Sequence, residues 1–170
     1  MKNMTLEHIA QACGGTYIGE ECDREKEIQG AVIDSRLVEE GYLFIPIRGA
    51  RVDGHDFIPA VFEKGALAVL SEQRLEHPAG PYILVDSTEE AMKKIAAFYR
   101  RSLDIKVVGI TGSVGKTSTK EMIASVLSEK YCVLKTEGNL NNEIGLPLTI
   151  FKIREEHQVA VLEMGISEFG

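Results

Sequence analysis

The run Thr111-Gly112-Ser113-Val114-Gly115-Lys116-Thr117-Ser118 constrains this chain more than any other stretch. It sits between an apolar segment expected to be a buried strand, Lys106 to Ile110, and a segment with helical periodicity. A phosphate cup needs backbone N–H groups turned towards one centre, which demands residues free of Cβ clashes, followed by a helix whose N-terminal dipole faces the anion. Gly112 and Gly115 meet the first condition, and the helix expected from Lys116 meets the second. Lys116 is then placed to reach the β- and γ-phosphates of ATP, and the Thr117 hydroxyl to ligate Mg²⁺. The spacing departs from the usual G-x-x-x-x-G-K-[ST]: position 110 holds Ile110, and the preceding glycine, Gly109, comes one residue early. The strand before and the helix after still satisfy the context the motif requires.

Downstream, Met122, Ile123, Val126 and Leu127 form the apolar stripe of a helix expected over Lys116 to Lys130. Strands are expected at Tyr131 to Lys135 and Val159 to Met164, with helix from near Pro147 within Ile144 to Ile153. Strands alternating with helices imply a parallel sheet with right-handed crossovers. Glu163 closes the last strand, at the carboxyl edge where ligands of open α/β sheets gather. A carboxylate there is either a Mg²⁺ ligand beside Thr117, since Mg²⁺ favours one or two carboxylates with phosphate oxygens, or a solvated or helix-capping Glu.

The first half reads as a smaller α/β unit. Thr5 can cap a short helix that Gly14 ends, and β-rich runs follow at Ala31 to Ile33 and Tyr42 to Ile47. A helix over Ile58 to Lys64 stops at Gly65, and short apolar strands are expected at Ala66 to Leu70 and Tyr82 to Val85. Ser87-Thr88-Glu89-Glu90 has the form of a capping box, Ser87 accepting an amide and Glu90 reaching back, and opens a helix to about Arg101. The expected division is therefore residues 1–85 and 86–170. A net charge of -7 argues against a nucleic-acid partner, and no apolar run approaches the ~20 residues of a membrane span. The N-terminus also lacks a long apolar leader, so the chain is expected in the cytoplasm. Cys13, Cys22 and Cys132 lack C-x-x-C spacing, and His8, His55, His77 and His157 lack metal-ligand spacing, so neither a disulfide framework nor zinc is indicated.

Several segments in one order carry a family resemblance. They are Asp34-Ser35-Arg36, GYLFIPIRGARVDGHDFI from Gly41 to Ile58, Gly65-Ala66, the loop itself, GNLNNEIGLPLT from Gly138 to Thr149, and VLEMGIS from Val161 to Ser167. Together they resemble the Mur ligases, ATP-dependent amide-forming enzymes of peptidoglycan precursor synthesis. The resemblance spans nearly the whole chain, T-G-x-x-G-K-T is that family's own form of the loop, and the last two segments are similar to the members that add D-alanyl-D-alanine. It implies an α/β fold: a small N-terminal UDP-binding domain, then the start of a P-loop, parallel-sheet central domain that binds ATP.

By that resemblance Thr111 to Ser118 cradle ATP, Lys116 and Glu163 are catalytic, and Thr117 and Glu163 hold Mg²⁺. Ile33, Ser35, Ala50, Arg51 and Val52 would contact the uridine diphosphate end of a UDP-N-acetylmuramoyl-tripeptide, and Asn139 and Asn142 would line the cleft near its reacting end. The reaction implied is attack of the tripeptide carboxylate on the γ-phosphate, then displacement of phosphate from the acyl phosphate by the amine of D-alanyl-D-alanine. Mur ligases carry further central strands, a modified lysine, a metal-holding histidine and a C-terminal domain, so these 170 residues alone are expected to be inactive. Two other readings stay open: another P-loop ATP-using enzyme, such as a kinase or transport ATPase, and a nucleotide- or UDP-sugar-binding module without catalysis.

Overall fold

Thr5 caps the first helix, α1 (Leu6–Cys13), by accepting the His8 amide at 3.2 Å, and Gly14 ends it in the left-handed region at φ 70°. The structure, a computed structural model, describes residues 1–165; the Ile166-Ser167 end of the VLEMGIS segment lies outside the described residues. By contact the chain divides into two compact units, Met1–Phe98 and Tyr99–Gly170.

In the first unit α1 is followed by β1 (Thr16–Ile18), β2 (Gly30–Val32), β3 (Tyr42–Phe44), α2 (Ile58–Glu63), β4 (Ala68–Ser71) and β5 (Tyr82–Leu84). The strands form one sheet in the order β1-β5-β4-β3-β2, parallel throughout except for the antiparallel pairing of β1 with β5. Parallel strands covered on both faces read as continuous apolar runs, which is how β4 reads: all four of its residues are buried. Phe44, Val69 and Tyr82 from three neighbouring strands meet Ile58 and Val61 of α2, and Val38 and Ala66 complete the cluster.

The helix expected from the capping box is α3 (Thr88–Ser102). Ser87 Oγ accepts the Glu90 amide at 3.3 Å, but the Glu90 carboxylate takes the Lys93 ammonium at 2.9 Å, so half of the expected box is present. The Thr88 amide and hydroxyl instead donate to Glu72 Oε1, at 2.9 and 3.1 Å. The division by contact falls inside α3, whereas the sequence places a boundary before it.

The second unit contains β6 (Lys106–Ile110), α4 (Lys116–Ser128), β7 (Val133–Lys135), α5 (Gly145–Phe151) and β8 (Val159–Glu163). Its three strands are parallel in the order β6-β8-β7. The middle strand, β8, is buried at all five positions, while β6, expected to be a buried strand, buries only Ile110 because it pairs on one side alone. The stripe expected on α4 is also rotated. Ile123, Ala124 and Leu127 pack against Ile110, Val159 and Val161, whereas Met122 and Val126 stand 70% and 72% exposed. The inward face is Lys120, Ile123, Ala124 and Leu127, an i, i+3, i+4, i+7 series with a lysine in its first apolar slot. That lysine concealed the phase of the helix. No helix among the described residues is long and apolar enough to cross a membrane.

Phe44 is fully buried at the centre of the first unit's cluster. Phe44→Ala is expected to lower the stability of that unit by ~3–5 kcal/mol, since the cavity cost adds to lost burial. Urea unfolding checks this; a midpoint equal to that of the unsubstituted chain would show that the cluster does not hold the unit together.

Candidate functional site

Parallel register sets Ile110 opposite Glu163, so the chain leaving β6 and the last side chain of β8 emerge at the same carboxyl edge of the sheet. The five residues Thr111 to Gly115 bridge from that edge to α4 and are exposed. Gly112 at φ 146° and Gly115 at φ 78° hold backbone conformations that side chains disfavour. Gly115 is also the cap residue of α4, and no side chain caps that end, which leaves first-turn amides for an anion. Lys116 Nζ lies across the loop, donating to the Gly112 carbonyl at 2.7 Å.

Beneath the loop, Glu163 is 2% exposed, yet its carboxylate has three polar side-chain partners. Thr117 Oγ1 lies 3.3 and 3.1 Å from its two oxygens, Asn141 Nδ2 donates to Oε1 at 2.9 Å, and Lys120 Nζ stands 3.5 Å from Oε2. Thr136, itself fully buried on the segment after β7, accepts the Glu163 amide at 2.9 Å and fixes the strand end. Burial is the largest single influence on the Glu163 carboxyl and raises its pKa; the hydrogen bonds from Asn141 and Thr117 and the Lys120 ammonium together outweigh it, holding the group below the usual glutamate range. Hydroxyl and carboxylate oxygens side by side suit a hard cation such as Mg²⁺. Among the described residues no group of three or more His, Cys, Asp or Glu could hold a metal by itself, so an ion beside Thr117 and Glu163 would draw further oxygens from water or phosphate.

In the first unit Ile33, Ser35, Arg36, Val52 and Phe57 line a cleft of about 460 Å³. Two Asp-x-x turns shape it. Asp34 accepts the Arg36 amide at 2.9 Å at the head of a 3₁₀ turn, and Asp53 accepts the His55 amide at 2.9 Å at the head of another. The Arg36 guanidinium, paired with Asp34 at 2.6 Å, holds the Asp34 carboxyl at about 2. His55 Nδ1 meets Asp53 Oδ1 at 2.7 Å, and its Nε2 accepts the Glu72 amide at 3.3 Å, which gives this half-buried histidine a structural place. At Gly54 a Cβ would stand 2.7 Å from the Ile47 nitrogen, so glycine is required by close approach. A larger open depression of about 960 Å³, bordered by Lys26, Glu40, Lys64 and Pro81, holds none of the predicted residues.

The structure thus gathers Thr111 to Ser118 with Glu163, and separately Ile33, Ser35 and Val52. Ala50 and Arg51 sit at the exposed tip of the turn closed by the Gly49 amide on the Val52 carbonyl, at 2.9 Å, outside the cleft lining. Asn139 is exposed, and Asn142 Oδ1 accepts the Gly145 amide at 2.7 Å at the start of α5. The asparagine that reaches Glu163 is Asn141, which carried no sequence signal. Lys120 did carry one: three residues after Thr117 on a helix, it shares that residue's face, and long helical side chains lean towards the N-terminus.

Residues 27–100 match the Mur ligase family, catalytic domain, and residues 110–170 match the Mur ligase middle domain. The chain belongs to the Mur ligase family. It is 43% identical over 172 residues to the UDP-N-acetylmuramoyl-tripeptide–D-alanyl-D-alanine ligase of Bacillus subtilis, covering 100% of this chain and 37% of that relative. Among solved structures it is similar to MurF from Acinetobacter baumannii, with a TM-score of 0.86 and 35% identity over 98% of this chain and 37% of that one. It is likewise similar to the MurF ligase of Thermotoga maritima in complex with ADP, with a TM-score of 0.74 and 39% identity over 82% and 32%. The chain therefore spans little more than a third of the length of the Bacillus subtilis relative.

A folded-state carboxyl held below its unfolded value stabilises the fold above the unfolded pKa, and this contribution disappears as pH falls through the folded value. Glu163 titrates in that sense, from an ordinary value of 4.5. The stability difference between the native chain and Glu163→Gln is expected to be largest above pH 4.5 and to shrink steadily below it. Urea unfolding of both across that range tests the sign; a gap that widens on acidification would contradict it.

Proposed function

We propose that this chain carries the substrate- and ATP-binding parts of a cytoplasmic ligase that joins D-alanyl-D-alanine to a UDP-N-acetylmuramoyl-tripeptide. Residues 1–85 would form the UDP-precursor domain and residues 86–170 the first part of the central ATP domain. The observation that carries this reading is the meeting of Thr117 and Glu163, 3.1 Å apart, beneath the uncapped start of α4. The similarity to a MurF ligase solved in complex with ADP supports nucleotide binding, and the name of the Bacillus subtilis relative supports the pair of substrates.

Each residue then has a task set by its position. Loop amides of Thr111 to Ser118 cradle the phosphates, and Lys116 exchanges the Gly112 carbonyl for β- and γ-phosphate oxygens. Thr117 and Glu163 would hold Mg²⁺, which when bound supplies neutralising charge to the phosphates. Asn141 keeps the Glu163 carboxylate turned towards Thr117. Ile33, Ser35 and Val52 take the uridine diphosphate end in the first unit's cleft, reached from the turn tip by Ala50 and Arg51. Asn139 and Asn142 serve the reacting end, Asn142 through the α5 start that it caps. In the reaction so assigned, the tripeptide carboxylate attacks the γ-phosphorus, ADP leaves, and the dipeptide amine displaces phosphate from the acyl phosphate. Lys116 stabilises the charge on the transferring phosphoryl group. A kinase or transport ATPase would share the loop but has no need of the Ser35 cleft, so the first unit favours the ligase.

Calorimetry with UDP and with ATP–Mg²⁺ tests both halves. Lys116→Ala is expected to weaken ATP–Mg²⁺ binding by about 10- to 100-fold, the worth of a charge-assisted hydrogen bond, and to leave UDP binding unchanged. Equal ATP affinity in the two proteins would remove the loop assignment.

A further inference from the structure

Lys120 is 1% exposed, belongs to the inward face of α4, and has no task in nucleotide binding as assigned above. Its ammonium lies 3.5 Å from Glu163 Oε2 and 3.5 Å from Glu121 Oε1, and the other Glu121 oxygen takes Lys135. Two carboxylates are therefore matched by two ammonium groups at the base of the loop, before any ligand arrives. A cation approaching Glu163 meets a carboxylate whose charge is already answered by a buried ammonium. Mg²⁺ sheds water reluctantly and binds well where phosphates add their oxygens.

We propose that Lys120 is a positioning residue that neutralises Glu163 and holds it against Thr117, so that a divalent cation binds here only together with the nucleotide's phosphates. This rests on the phosphate-site reading above. The geometry supports it in two ways. Lys120 is anchored on the same helix as Lys116 and Thr117, so its backbone position is tied to the helix start that follows the loop. Asn141 and Thr117 both donate to the Glu163 carboxylate, so it cannot swing away from Lys120 without breaking those bonds.

Mn²⁺ titration followed by electron paramagnetic resonance, on the full protein with and without ADP, tests the idea. The native chain is expected to bind Mn²⁺ with ADP and to show no saturable binding of Mn²⁺ alone. Lys120→Met removes the competing charge and is expected to bind Mn²⁺ alone at least about tenfold more tightly, the order expected for losing one charge at this distance in a screened site. Adding Glu163→Gln should cancel that gain, and Lys120→Arg, which keeps the charge, should behave as the native chain does. Native binding of Mn²⁺ alone as tight as with ADP and abolished by Glu163→Gln overturns the proposal, and this holds even if Lys120→Met fails to fold. So does a folded Lys120→Met indistinguishable from native while Mn²⁺–ADP still binds, which leaves the phosphate site standing. Failure of the native chain to bind Mn²⁺–ADP at all removes the phosphate-site reading and the proposal with it.

Discussion

The second unit depends on the in-register parallel pairing of β6 with β8. Because Ile110 lies opposite Glu163, the loop that follows one strand and the carboxylate that ends the other must share an edge. Parallel sheets place all their strand ends of one polarity together, and the helix that returns from β6 presents its positive end at the same place. A one-residue slip in that register would turn Glu163 to the opposite face and leave Thr117 without its partner. Thr136 guards the alignment from the other side, its buried hydroxyl taking the amide of Glu163.

The two units use charge differently. At Asp34 the pairing with Arg36 is largely exposed, so it contributes little to stability, and its value lies in aiming the turn at the edge of a cleft. At Glu163 both members of the pair with Lys120 are buried, so their attraction is offset by desolvation, and removing one member leaves the other stranded. Such a pair is poor evidence for stability and better evidence for a position held on purpose. It also explains why α4 tolerates a lysine in its packing stripe: the slot is apolar by periodicity, but the atoms facing its end are carboxylate oxygens.

Much of this was legible in the sequence where local chemistry decides the outcome. The Thr5 cap, the Gly14 and Gly65 stops, the short apolar strands and the strand-loop-helix context of Thr111 to Gly115 all report on neighbours within a few residues. The misreadings share one cause. Whether Met122 or Lys120 faces the sheet, whether Glu90 turns back or meets Lys93, and whether β6 is covered are set by tertiary partners that no short window contains. The same holds for Asn141: three asparagines in four positions look alike until the loop's path sends one to Glu163 and another to the α5 cap.

The displaced glycine shows how a motif's spacing follows from backbone geometry. In the usual pattern a glycine would stand at position 110, but here Ile110 belongs to the apolar cluster under α4, where a side chain is wanted. Gly109 does not substitute for the missing residue. Its added Cβ would meet the Met164 methyl at 2.6 Å, a packing matter inside the sheet, and its backbone carries no positive φ. Gly112 and Gly115 are the reverse case: nothing crowds a Cβ at Gly115 and only the Val114 carbonyl oxygen approaches one at Gly112, at 3.9 Å, yet both have φ values that side chains avoid. What this loop keeps is therefore two unusual backbone angles beside a helix start, and the strand can hold its apolar side chain to its last residue as long as those angles follow it.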